Sequence, residues 1–163
     1  HALNAEYFER IEAINYALAH DDGQNTQGLP NADVILLGVS RTSKTPTCVY
    51  LANRGVKAGN IPLVPGVPVP PIMDDLDPEK GPLVIGLKIG VERLVQIRSQ
   101  RLMALNENSA TDYTDEEAVR AEVTEANRLF QRKKWQMIDV SRRSVEETAA
   151  AILNKLNEKR GQG

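Results

Sequence analysis

Cysteine is nearly missing from these 163 residues. Cys48 stands alone, which excludes an internal disulfide framework and a zinc site built on cysteines. The two histidines, His1 and His20, sit in no pattern that suggests a metal ligand or a nucleophile's partner. No apolar run is long enough to span a membrane, and nothing reads as a signal peptide. A formal net charge of −2 supplies no field that would gather nucleic acid or an anionic membrane surface. A lone thiol, expected in the core, fits a reducing, cytoplasmic setting.

Hydrophobic residues make up 41% of the chain and charged residues 26%, an ordinary mixture for one globular domain. The helical spacing of Phe8, Ile11, Ile14 and Leu18 predicts a helix over 7–20, stopped by Asp21-Asp22-Gly23 and followed by a polar loop to Pro30. Residues 34–37 are a continuous apolar run, as expected of a central parallel strand covered on both faces. A helix after Lys44 ends near Gly55. Residues 58–64 read as a second strand, confined by Pro62 to an edge or a short piece. The proline-rich stretch 65–71 excludes helix and central strand; it reads as a stiff surface loop or as a segment that docks a partner.

A third strand is expected over 83–87. A helix follows over 91–105, with Leu94, Ile97 and Leu102 inward and Arg93, Arg98 and Arg101 on other faces. Thr114-Asp115-Glu116-Glu117 reads as a capping box opening a helix to about Phe130, whose basic end (Arg128, Arg132, Lys133, Lys134) is a solvated helix terminus. Residues 137–140 are a fourth strand. Ser144-Val145-Glu146-Glu147 is a second capping box, opening a helix to about Leu156, with the tail from Glu158 to Gly163 expected to fray. Strands alternating with helices argue for an α/β fold, a P-loop-like three-layer domain with a mostly parallel sheet between helices. Ligands in such folds sit beyond the carboxyl ends of the strands, where the loop after Leu37 and the residues after Val140 would converge.

The most informative residues are Gly38-Val39-Ser40-Arg41-Thr42-Ser43-Lys44-Thr45, placed between the first strand and its helix. Strand, polar loop, Lys-Thr and helix is the layout of a phosphate-binding loop, except that Ser43 stands where the usual pattern has its second glycine. Such a loop aims backbone N–H groups and the positive end of a helix dipole at an anion. Lys44 adds a full charge, Ser40 and Arg41 add donors, and the Thr45 hydroxyl is placed to ligate Mg²⁺. Pro46 is compatible, because the first turn of a helix has no use for its missing N–H.

Other candidates surround this loop. Asp139 ends the fourth strand, where a carboxylate can reach a metal or cap the next helix. Asp21 and Asp22 form an acidic pair that either makes a helix-ending turn or takes a proton from an attacking hydroxyl. Arg98, Arg101, Arg142 and Arg143 are candidates to neutralise a transferring phosphoryl group.

The segment Ser40-Arg41-Thr42-Ser43-Lys44-Thr45-Pro46-Thr47 with Tyr50-Leu51-Ala52 resembles the signature of the pyruvate phosphate dikinase regulatory proteins. Further matches are Tyr7 to Ile14, Asp21-Asp22-Gly23, Asn60 to Pro65, Ile97-Arg98 with Arg101-Leu102, and Ile138-Asp139-Val140 with Arg143 to Thr148. A sister group acting on phosphoenolpyruvate synthase carries Cys-Gly where this chain has Thr42-Ser43, so the Thr-Ser form points to the dikinase group. The resemblance implies a bifunctional serine/threonine kinase and phosphorylase that uses ADP to phosphorylate a threonine of the dikinase. It also implies reversal by inorganic phosphate with release of pyrophosphate, and it makes a homodimer plausible. Proteins of this kind have a further domain before the segment seen here, so the chain reads as their nucleotide-binding portion. A small-molecule P-loop kinase and a non-catalytic nucleotide-binding module are the alternatives from other classes.

Overall fold

The structure is a computed structural model that describes residues 2–105 and 113–161. His1, among the candidates weighed above, lies outside the described residues. Helix α1 (Ala2–Ala19) leads through two short 3₁₀ turns into β1 (Val34–Gly38), α2 (Lys44–Ala52) and β2 (Ala58–Pro62). The proline-rich stretch and a further 3₁₀ turn carry the chain to β3 (Leu83–Lys88). Then come α3 (Val91–Ala104), α4 (Glu116–Lys133), β4 (Gln136–Asp139) and α5 (Val145–Gly161).

The four strands form one all-parallel sheet in the order β2-β1-β3-β4. Every residue of β1 is buried, because helices cover both of its faces. Val34 and Leu36 pack with Cys48 and Leu51 of α2 and with Ile152 and Leu156 of α5. Ile35 and Leu37 pack on the opposite side with Leu94 of α3 and Val119, Val123 and Phe130 of α4. That alternation within a wholly apolar run is the three-layer α/β arrangement expected. Gly86 lets Phe130 lie against the sheet, since a Cβ there would stand 2.5 Å from the ring. After β1 the chain moves outward to β2, then returns across β1 to β3. The loops after β1 and β3 therefore flank a topological switch point, the place where such sheets bind ligands.

Several local expectations are corrected. On α1 the packed face is the small one, Ala13 and Ala17, whereas Phe8 and Leu18 are each 66% exposed and Ile11 is exposed too. Small side chains let this helix approach α2 and β2 closely. Arg98 is not on an outer face of α3 but 1% exposed, one turn from Leu94. The cap of α4 is Asp115, whose carboxylate accepts from the Ala118 N–H, rather than Thr114. The Ser144–Glu147 capping box forms as read, with each backbone N–H bonded to the other's side chain at 3.1 Å. Helix α5 continues to Gly161, past the Leu156 expected, because Leu156 is still packed in the core and Arg160 pairs with Asp33. Lys133, read as solvated, pairs with Asp74 at 2.6 Å and ties the proline-rich connection to α4. None of the helices described is long and apolar enough to cross a membrane.

Candidate functional site

The loop between β1 and α2 has the backbone that its sequence seemed to forbid. Ser43, in the glycine slot, takes φ 61° and ψ 33°, and Arg41 has φ 73°. Both are left-handed conformations, which cost a residue with a Cβ roughly 1–2 kcal/mol each. The requirement behind the glycine is therefore met by serine, and the loop still delivers Lys44 as the first residue of α2. Gly38 serves a close approach, since a Cβ there would stand 2.6 Å from the Thr42 hydroxyl. That hydroxyl donates to the Val39 carbonyl at 2.9 Å.

Lys44 is buried against the loop it closes. Its Nζ donates to the Val39 carbonyl at 2.8 Å and to Thr42 Oγ1 at 3.4 Å. Burial pushes its amine down to about 8, against the attraction of Asp22, which works to raise it. The side chain thus spans the loop as a brace, its charge close to the backbone that an anion would approach. Cys48 lies one turn further on, and burial pushes its thiol up to about 12, making it an inert core residue.

Asp21 and Thr45, separated by the whole of β1 and its loop, meet directly. The Thr45 hydroxyl donates to Asp21 Oδ1 at 2.7 Å. Asn60 on β2, 1% exposed, donates to the same oxygen at 2.7 Å and accepts from the Asp22 N–H at 3.1 Å. A single buried amide thus fixes the acidic pair against the first turn of α2. Asp22 has φ 55°, and among the described residues its exposed carboxylate accepts no hydrogen bond. Sequence reasoning named both aspartates but gave Asn60 no role in the site, although it heads the Asn60 to Pro65 match and is a polar side chain within an otherwise apolar strand.

The arginines divide. Arg98 reaches back to the loop: Nη2 donates to the Ser40 carbonyl at 3.2 Å and Nη1 to the Tyr113 carbonyl at 3.2 Å. Glu122 of α4 pairs with its guanidinium, and the Tyr113 ring lies 4.6 Å from it. Arg101 is exposed in the last turn of α3 and makes no side-chain bond to another described residue. Arg142 and Arg143 follow β4 and line a cavity of about 330 Å³ with Arg41, Thr42 and Ser43, the convergence expected of the two loops. Asp139 sits on the edge strand, with β3 between it and β1. Its carboxylate accepts from the Ser141 N–H at 2.9 Å. Burial works to raise its pKa, but the Ser141 bonds outweigh it and hold the carboxyl below the usual range. Among the described residues no three His, Cys, Asp or Glu side chains gather as a preassembled metal site.

A parallel α/β sheet with a lysine-braced loop at its switch point defines a P-loop-like class of α/β protein. Within that class, the kinase/pyrophosphorylase family model matches residues 1–153, and the chain belongs to that family. It is 71% identical over 161 residues to a protein of Hyphomonas neptunium, covering 99% of this chain and 57% of that one. It is 59% identical over 162 residues to one of Caulobacter vibrioides, covering 99% and 50%. Both carry the name "Putative pyruvate, phosphate dikinase regulatory protein". The chain spans about half the length of these curated relatives.

Proposed function

We propose that this chain is the phosphate-handling part of an enzyme that phosphorylates a threonine of pyruvate phosphate dikinase from ADP and removes the phosphate by phosphorolysis. The observation that carries the reading is the loop 38–45 with Lys44 bracing it and the Asp21-Asp22 pair held against Thr45. The names of the relatives supply the target.

In the forward direction the threonine hydroxyl attacks the β-phosphorus of ADP, the bridging P–O bond breaks, and AMP leaves. The proton passes to a carboxylate, and Asp22 is the one free to take it, since Asp21 already accepts from Thr45 and Asn60. In reverse, an oxygen of inorganic phosphate attacks the phosphothreonine phosphorus, pyrophosphate forms, and Asp22 returns a proton to the threonine oxygen. Loop N–H groups and Lys44 hold phosphate in both directions, so one crevice serves both reactions. Thr45 and Asp21 present two hard oxygen donors side by side, a set that fits Mg²⁺, which takes few protein ligands and keeps its waters. Bound there, it would supply charge neutralisation of the phosphates. The setting of the reaction is the cytoplasm.

The test is incubation with pyruvate phosphate dikinase and ADP labelled in its β-phosphate, with phosphoenolpyruvate synthase as the parallel substrate. Label on a dikinase threonine is the expected result. ADP binding without transfer to either protein would reduce the chain to a binding module, transfer to a metabolite alone would make it a small-molecule kinase, and no ADP binding would overturn the reading.

A further inference from the structure

The crevice holds more positive charge than a nucleotide loop uses. Beside the loop, the cavity of about 330 Å³ is lined by Arg41, Arg93, Arg142 and Arg143, brought together from the loop after β1, the first turn of α3 and the segment after β4. Arg93 bonds Gln96, and none of the four has a carboxylate within 4 Å among the described residues. Among the described residues no acidic side chain lines the cavity. Asp139 and Glu147, both attracted by Arg143, are hydrogen-bonded to Ser141 and Ser144, and Glu92 lines the adjoining cavity with Arg93 and Arg142 rather than this one. The capping box takes the Glu147 N–H of the first turn of α5, and the full charges that line the cavity are those of the guanidinium groups. Four like charges around one small cavity repel one another, and an anion with several acceptor oxygens relieves that repulsion while accepting paired N–H bonds.

The geometry points to a second anion subsite, distinct from the nucleotide phosphates on the loop, that takes one tetrahedral phosphate group. This rests on the proposed function, whose phosphorolysis brings together two separate phosphates. Lys44 faces the loop interior, bonded to Val39; Arg93, Arg142 and Arg143 line the neighbouring cavity from α3 and the segment after β4, and Arg41 lines it from the loop itself. The phosphate would be either the phosphorylated side chain of the protein substrate or free inorganic phosphate, and both present the same dianion to the arginines.

The experiment is calorimetric titration of inorganic phosphate into the whole chain, with and without saturating ADP, for the wild type and for Arg93→Ala/Arg142→Ala. One phosphate should bind with ADP in place, and the double variant should weaken it at least tenfold with ADP affinity within twofold of wild type. Arg93→Lys/Arg142→Lys should recover part of the loss, and circular dichroism should be the same for all three. Stoichiometric displacement of phosphate by ADP would overturn the proposal, because the two would then share one site; so would an unchanged phosphate affinity in the double variant. A short phosphothreonine peptide then tells the sources apart. Competition with phosphate in the wild type assigns the subsite to the substrate side chain, and phosphate binding without competition assigns it to the free ion. If the wild type binds phosphate but no ADP, the nucleotide reading of the loop fails while the arginine subsite stands.

Discussion

Thr45 donates its hydroxyl hydrogen to Asp21 at 2.7 Å, which joins the first turn of α2 to the turn that ends α1. The pair keeps the threonine oxygen's lone pairs available on the side away from the carboxylate, while the aspartate adds charge beside it. Asp21→Asn keeps the shape and removes the charge. Affinity for ADP measured with Mg²⁺ should fall about 10–100-fold, as for lost partners of a metal ligand, while affinity measured in EDTA should stay within threefold. Calorimetry under both conditions checks this, and equal losses in the two would remove the metal from the account.

Asp22 has the complementary prediction. Its carboxylate is free of hydrogen bonds to described residues, and it works on the Lys44 amine through space. Asp22→Asn should lower the rate of phosphoryl transfer about 10²–10⁴-fold, the usual contribution of a positioned base, with ADP affinity nearly unchanged. A labelled-transfer assay read against binding decides it. A variant that transfers at the wild-type rate would pass the base role elsewhere.

Lys44 should make nucleotide binding depend on pH in one direction only. Folded and ligand-free, it loses its proton near pH 8, whereas an unfolded lysine keeps it to 10.5. The unfolded chain therefore binds more protons between these values, and stability rises with pH across that window. Phosphate on the loop reverses the preference by favouring the ammonium form. ADP affinity should be flat below about pH 8 and fall by up to about tenfold per unit above it. Titrations at pH 8.5 in buffers of different ionisation enthalpy should show proton uptake on binding, and Lys44→Met should abolish it.

Ser43 tests whether the loop needs a side chain there or only a backbone. Ser43→Gly removes the left-handed penalty of roughly 1–2 kcal/mol and adds glycine's entropic cost of about 0.5–1 kcal/mol. A net gain of about 0.5 kcal/mol in thermal unfolding is expected, with ADP affinity kept. Ser43→Ala retains the strain and should show no gain. A loss of affinity in both variants would assign the serine hydroxyl a direct part in binding.

The order strand, loop, Lys-Thr, helix was legible in the sequence because it is local, as were the four parallel strands and the Ser144–Glu147 cap. What was not legible depends on which segments the sheet brings together. Asn60 meets Asp21 across 39 positions because β2 lies beside the turn that follows α1. Helix spacing alone placed Arg98 outside, since a long cationic side chain is usually solvated. Its burial depends on Glu122, 24 positions away on another helix. The apolar spacing of Phe8, Ile11 and Leu18 announced the helix but not its packed face, because Ala13 and Ala17 fit closer to α2.

Arg98 and Glu122 give the last prediction, because they separate holding the fold from holding the loop. Arg98 is 1% exposed, so removing the Glu122 carboxylate leaves a buried charge without its counterion. Glu122→Ala should cost about 3–5 kcal/mol in denaturant unfolding. Replacing both partners by apolar residues of similar volume, Arg98→Met with Glu122→Leu, removes the uncompensated charge and should recover most of that stability. It cannot restore the bond from the guanidinium to the Ser40 carbonyl, which ties α3 to the loop between β1 and α2. The double variant should therefore fold about as well as the wild type yet bind ADP about tenfold more weakly, the value of roughly one net hydrogen bond to a charged group. Recovery of both stability and affinity would reduce the pair to packing. Recovery of stability alone makes Arg98 a positioning residue that acts through Ser40.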